Sequence, residues 1–168
     1  PTQLAQCLEA GEEVGGPMRS LSPILVGGAA TNQQLLARAI EVGLKVRLTY
    51  GMTETAGGCV YNGKPLPGTS VRAVDWDGRT RLAINGPTLM TRYLDAESPF
   101  FDAGGHRWLL TGALGIIRAS GTVEVRGRAD DVIVSGGLSI APGPVRRAVR
   151  SFEGVADAWI MATPDEKW

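Results

Sequence analysis

The sequence holds a single histidine, His106, and only two cysteines, Cys7 and Cys59, with no CxxC spacing. A zinc centre or a disulfide framework needs more of these residues than the chain offers. A Ser-His-Asp or Cys-His catalytic arrangement would have to draw its base from His106 alone. His106 reads instead as a solvated loop residue. Free thiols fit a reducing cytoplasm, the expected location. Charge of one sign is missing too: 17 Lys and Arg balance 17 Asp and Glu. Without a basic or acidic footprint, neither nucleic acid nor an anionic membrane is an expected partner. Apolar runs end after a handful of residues, against the ~20 that span a bilayer, and Pro1-Thr2-Gln3-Leu4 has no signal-peptide character. The expected partners are small molecules or proteins. A length of 168 residues suits one domain or pieces of two.

Glycine, by contrast, is plentiful at 23 residues, some of them paired, as at Gly27-Gly28, Gly57-Gly58, Gly104-Gly105 and Gly136-Gly137. Such pairs at strand ends permit positive φ and close approach of a ligand to the main chain. For Gly104-Gly105 a simple turn is the better reading.

Pro23 to Val26 reads as a buried strand emptying into Gly-Gly-Ala-Ala. Thr31 or Asn32 then caps a helix on which Leu35, Leu36, Ala39 and Ile40 recur until Gly43, and Lys45 to Leu48 resumes as a strand. That is a βαβ unit of a parallel sheet, with ligands expected beyond the carboxyl ends of the strands, where Gly27-Gly28 and Tyr50-Gly51 lie. After Gly58 the pattern becomes antiparallel and barrel-like. Val71 to Val74 and Arg81 to Ile84 flank an Asp77-Gly78 hairpin turn, and Trp108–Leu110, Leu114–Arg118 and Thr122–Arg126 are further short strands. Beyond Arg128 come a strand at Val132–Val134, a helix at Val145–Val149 entered through Pro142 and Pro144, and a strand at Val155–Met161. Trp76, Trp108 and Trp159 are expected to pack internally. Cys59 is either a small buried thiol or part of an acyl pocket.

The fold class is therefore α/β plus β: the end of a large N-terminal domain, then the start of a small α+β domain. The expected division is 1–128 (1–58 the α/β part, 59–128 the β subdomain) and 129–168, truncated. One βαβ unit cannot cover both faces of a parallel sheet, so the chain reads as an internal fragment.

Residues 49–55, Thr-Tyr-Gly-Met-Thr-Glu-Thr, place a ring, a hydroxyl and a carboxylate beside a glycine that lets the turn approach a ligand. Activating a carboxylic acid with ATP requires just such groups: a surface for adenine, donors to the α-phosphate and a carboxylate for Mg²⁺. Taken singly, each has a plainer reading. Tyr50 could be a strand-end aromatic and Thr53-Glu54 the first turn of a helix. Arg128-Ala129-Asp130-Asp131 could be a solvated turn.

TYGMTET resembles the signature of the adenylate-forming acyl-CoA synthetase and ligase superfamily. It stands in order with LVGGAAT upstream and with RWLLTGALG and GRADDVIVSGG downstream. ETAGGCVYNGKPLPG and FFDAGGHRWLLTG are most similar to actinobacterial o-succinylbenzoate-CoA ligases of menaquinone biosynthesis. The resemblance covers the chain from about Ser22 onward. It implies an AMP-forming ligase that uses ATP, Mg²⁺ and CoA and passes through an acyl adenylate. The alternatives are a ligase for another aromatic or fatty acid, or an impaired nucleotide-binding homologue. Carried onto this sequence, it implies Gly28 and Ala29 beside adenine and the acyl group, Tyr50 stacked on adenine and Gly51 at the nucleotide. Thr53 would lie on the α-phosphate, Glu54 on Mg²⁺ and Arg128 on the ribose. Asp130 would be the interdomain hinge, Gly136 and Gly137 the wall of a CoA tunnel, and Gly57 and Gly58, with Gly28, neighbours of the acyl substrate.

Three positions depart from the superfamily pattern. Ala113 stands where an aspartate receives the ribose hydroxyls, Ser139 where lysine or asparagine is usual, and Pro144 where glutamate is. Two elements of the full chemistry are outside the chain, a Ser/Thr/Gly-rich phosphate loop upstream and a lysine near the far C-terminus. By itself this segment is not expected to turn over ATP. The oligomeric state stays open, with a homodimer among the options.

Overall fold

The structure, a computed structural model, describes residues 1–11, 17–21, 23–135 and 138–163. Helix α1 (Thr2–Glu9) precedes strand β1 (Ile24–Val26), helix α2 (Gln33–Glu41) and strand β2 (Val46–Met52). Asn32 is the cap: its Oδ1 accepts from Gln34 N at 2.9 Å, satisfying one of the donors a helix start leaves over. Gly43, at φ +83°, ends the helix segment. β1 and β2 pair in parallel, with Ile24 opposite Val46 and Val26 opposite Leu48, so the predicted βαβ unit is present. Leu4, Leu8, Val26, Ala39 and Leu44 form its core. Leu25 remains 57 % exposed, so one face of β1 is uncovered.

The sheet is mixed rather than purely parallel. On its other side β2 pairs antiparallel with β3 (Gly57–Tyr61), which turns back into the short β4 (Lys64–Pro65). β2 therefore runs four residues beyond the expected Leu48, and Tyr50-Gly51 lie inside a strand instead of after one. The Asn62-Gly63 turn, with φ +47° and +75°, drives this reversal. Asn-Gly is the strongest short hairpin signal a sequence carries, and here it sets the β3–β4 reversal. Position 58, where the sequence pattern changes, falls within β3.

The second sheet is antiparallel and curled: β5 (Ser70–Trp76), β6 (Arg79–Asn85), β8 (His106–Ile117) and β7 (Phe100–Ala103), with β9 (Val123–Arg128) also on β8. The β5–β6 hairpin turns at Asp77-Gly78 as expected, both at positive φ. Gly104-Gly105 is a plain β7–β8 turn. The two strands expected at 108–110 and 114–118 are one twelve-residue strand, and His106 opens it, exposed but not in a loop. The cause is sharing: the first part of β8 pairs with β7 and the last part with β9 along the same edge, with a register shift at Leu114/Gly115. Cys59, Val60, Leu82, Ile84, Ala113 and Val123 pack together between the two sheets. Cys59 is 1 % exposed, the thiol of a core rather than of an open pocket wall. Its pKa is raised by burial.

β10 (Ile133–Ser135) and β11 (Leu138–Ile140) form a hairpin before helix α3 (Pro142–Arg150), whose prolines stand in its first turn. Residues 155–161 form no strand, contrary to expectation, because they gain no ladder partner among the described residues. Trp159 accordingly is 79 % exposed, with Arg146 5.8 Å from its ring, while Trp108 is buried and Trp76 partly exposed against Phe101.

Gly51 has a reason other than ligand access. A Cβ there would overlap the carbonyl of Gly57, so only glycine allows β3 to approach at the Tyr50/Gly51 bulge. Gly51→Ala is expected to cost about 2–3 kcal/mol by overpacking, read as a shift of the denaturation midpoint with unchanged slope.

Candidate functional site

β2 presents Tyr50 toward the curled sheet, where its ring packs on the Cys59–Ala113 core. The phenol donates to Thr111 Oγ1 at 3.3 Å. Thr111, 2 % exposed, donates in turn to Leu82 O at 2.7 Å and accepts from Ala113 N at 3.1 Å. One hydroxyl thus takes two donors and serves one acceptor, which uses its full capacity. Burial pushes the Tyr50 pKa up to about 12. The ring is consequently fixed, neutral and tied to the TGALG segment.

That segment leads to Arg128. Ala113 faces Arg128 in the β8–β9 register, and Gly112, lacking a side chain, leaves room for the guanidinium: a Cβ there would lie 3.2 Å from Arg128 Nη2 and 3.5 Å from Asp130 Oδ2. Arg128 Nη2 donates to Asp130 Oδ2 at 2.7 Å, and this bond raises the guanidinium's pKa. Both side chains are nearly two-thirds exposed, so the pair orients Arg128 more than it stabilises the fold. The charges of Glu54 and Asp131 act on Arg128, and that of Arg128 acts on Tyr50. Midway along β2, next to Tyr50, a Cβ on Gly27 would overlap Thr49, so the LVGGAAT and TYGMTET segments touch. Gly28, at φ +81°, and Ala29 follow as exposed loop residues.

Thr53, Glu54 and Thr55 make one 3₁₀ turn after β2. Thr53 is exposed, whereas Thr55 is buried and bonded to Met52 and to the Gly57 carbonyl. The plain helix-start reading of Thr53-Glu54 thus shrinks to a single turn. Glu54 accepts from Tyr93 OH at its carboxylate and from Met90 N, at 2.8 Å, at its carbonyl. Among the described residues no cluster of three or more His, Cys, Asp or Glu could cage a metal. A lone carboxylate suits Mg²⁺ carried by phosphates, which keeps waters and takes one or two protein carboxylates. Two residues that contact the candidate site were not singled out from the sequence: Thr111, inside a quoted segment, bonded to Tyr50, and Tyr93, in a segment without a motif, bonded to Glu54. Gly57 and Gly58 open β3 and so sit beside Gly51. Gly136 and Gly137 lie outside the described residues. An open groove of about 460 Å³ lies elsewhere, between α1 and β1.

The joined segments and the mixed sheet beside a curled antiparallel one define a class, and residues 1–94 match the AMP-binding enzyme family. The chain belongs to that family. It is similar to a probable 2-succinylbenzoate–CoA ligase of Mycobacterium tuberculosis, 36% identical over 154 residues, which cover 89% of this chain and 39% of the relative. The 2-succinylbenzoate–CoA ligase of Bacillus subtilis is 32% identical over 186 residues, covering 99% and 37%. Among solved structures, the o-succinylbenzoate CoA synthetase of Bacillus subtilis in complex with its acyl-adenylate intermediate superposes with a TM-score of 0.82 at 31% identity, over 99% of this chain and 38% of that one. The chain thus spans less than two-fifths of the length of these relatives.

The buried phenol has a titration signature. Spectrophotometric titration is expected to show one of the three tyrosines ionising near pH 12, and Tyr50→Phe removes that phase. Because the folded value lies above the unfolded value of about 10, Tyr50 keeps its stabilising contribution below pH 10 and loses it as pH rises toward 12.

Proposed function

We propose that this chain is the nucleotide-binding centre of an AMP-forming acid–CoA ligase. Its reaction would be o-succinylbenzoate, ATP and CoA to o-succinylbenzoyl-CoA, AMP and pyrophosphate, a cytoplasmic step of menaquinone synthesis. No helix among the described residues is long and apolar enough to cross a membrane. The observation that carries the reading is the continuous line from Tyr50 through Thr111 and Gly112 to Arg128, with Glu54 at the end of β2. A solved relative holds an acyl adenylate on the same fold.

In this reading Tyr50 offers its fixed ring to adenine, with Gly28 and Ala29 beside it, and Arg128 donates to the ribose. Thr53, exposed on its turn, donates to the α-phosphate as charge builds there. Glu54 would hold Mg²⁺, which supplies neutralisation of the phosphate oxygens when bound. The acid carboxylate attacks the α-phosphorus and expels pyrophosphate; the CoA thiol then attacks the adenylate carbonyl and expels AMP. Gly57 and Gly58, with Gly28, would border the acyl group, and Gly136 and Gly137 the CoA path.

We further assign residues 1–128 to the large domain and 129–168 to the small one, with Asp130 as pivot. Supporting this, Ala129 is tied to the curled sheet on both sides: its N–H bonds Gly112 O at 2.7 Å and its carbonyl accepts from Arg79 at 2.9 Å. Asp130 and Asp131 beyond it are exposed. A rotation of the following unit is best absorbed in exposed residues just past such an anchor.

Ala113 favours a second reading, a nucleotide-binding homologue with impaired catalysis. Both are tested in the full-length protein with a panel of acids. The expected result is pyrophosphate release that depends on o-succinylbenzoate, and at least a tenfold gain in ATP affinity for Ala113→Asp, whose carboxylate would add charge-assisted bonds worth about 1.5–3 kcal/mol. Release with a different acid alone overturns the substrate; ATP binding without release from any acid establishes the impaired homologue.

A further inference from the structure

Tyr93 lies on the connection between β6 and β7, in a stretch to which no motif drew attention, and its hydroxyl donates to Glu54 Oε1. We infer that Tyr93 is a positioning residue for Glu54, holding one carboxylate oxygen so that the other faces the cation carried by the nucleotide. This inference rests on the metal role proposed above for Glu54.

Glu54 stands on a 3₁₀ turn of only three residues, a form whose hydrogen bonds are poorer than those of an α-helix. Unaided, a glutamate there would rotate freely about three side-chain bonds. The 90–93 segment clasps it twice, once at the main chain through Met90 N–H and once at the carboxylate through Tyr93. The clasp is itself anchored. Arg107 Nη2 donates to Thr91 O at 2.6 Å, and Asn85 Nδ2 donates to Arg107 O at 2.8 Å. The Arg107 guanidinium also lies 3.5 Å over the Phe100 ring. Strands β6, β7 and β8 therefore fix Arg107, Arg107 fixes Thr91, and residues 90 and 93 fix Glu54.

Packing alone does not account for Tyr93. It is 36 % exposed, and its neighbour Leu94 is 85 % exposed. What the site uses is the hydroxyl. A phenol is protonated at neutral pH and so donates to the ionised carboxylate. A carboxylate with Oε1 so engaged has Oε2 left to serve as a single-oxygen ligand, the mode that suits a small octahedral cation.

The test is Tyr93→Phe in the full-length protein, which removes only the oxygen. Mn²⁺ binding in the presence of a non-hydrolysable ATP analogue, followed by electron paramagnetic resonance, is expected to weaken about tenfold, the size of one lost hydrogen bond to a charged group. The Mg²⁺ concentration for half-maximal pyrophosphate release should rise by the same factor, with the KM for the acid unchanged. In a Glu54→Gln background, adding Tyr93→Phe should have no further effect on Mn²⁺ affinity. Wild-type Mn²⁺ affinity in Tyr93→Phe, or full additivity with Glu54→Gln, overturns the inference and leaves the ligase reading intact. Wild-type protein that binds Mn²⁺ and nucleotide but releases no pyrophosphate from any acid refutes the ligase reading instead, and the Mn²⁺ comparison still decides the role of Tyr93.

Discussion

The hydroxyl of Thr111 is the junction on which the site depends. It is buried, it belongs to the curled sheet, and it receives the phenol of a tyrosine from the mixed sheet. A buried hydroxyl in an apolar core costs free energy unless it is bonded, and here every bonding position is filled. Serine could make the same bonds but would lack the methyl group. Valine would fill the space and leave the Leu82 carbonyl without this donor. The threonine thus converts contact between two sheets into a fixed distance between an aromatic ring and the strand edge carrying Arg128. A second tie, Val123 N to Gly63 O at 2.8 Å, holds β9 against the β3–β4 turn and resists rotation about the first.

Missing side chains matter as much as present ones. Gly51 lets β3 come close enough to bulge, which sets the turn bearing Thr53 and Glu54. Gly112 leaves the space over β8 in which the guanidinium of Arg128 meets Asp130. A methyl group at Gly51 would meet main-chain atoms that cannot move aside, whereas one at Gly112 would meet the ends of side chains, which can. The two glycines therefore answer different demands: the first is a condition of the fold, the second of the site.

How legible this was depends on how local the cause is. The capped helix after Asn32, the Asp77-Gly78 hairpin and the parallel pairing of β1 with β2 follow from periodicity and turn chemistry within a few residues, and these were read correctly. The extension of β2 through Tyr50 was not, because it requires β3 to arrive from the other side. The single strand β8 looked like two, since its pairing changes partner midway and Gly112 and Gly115 interrupt its apolar pattern. The 155–161 segment looked like a strand on composition, but alternation supplies no partner. Among the residues proposed for the site, Tyr50, Thr53, Glu54 and Arg128 stand out in the sequence because they travel in recognisable phrases. Tyr93 does not: its meaning comes from a contact 39 positions away.

Ala113 shows how stability and binding pull on one position. Its methyl group belongs to the apolar cluster with Cys59, Val60 and Leu82, and only 7 % of the residue is exposed. An aspartate there would bring a charge to the edge of that cluster, and the desolvation penalty would be offset by Arg128, its partner across the β8–β9 ladder. Arg128, however, already donates to Asp130 from the solvent side. Two carboxylates would then share one guanidinium, which each would hold less tightly than it could alone. With alanine the core is apolar and, among the described residues, Asp130 is the carboxylate that Arg128 donates to. In the proposed reading, alanine here favours a quieter core over nucleotide affinity, a trade between stability and function at one position.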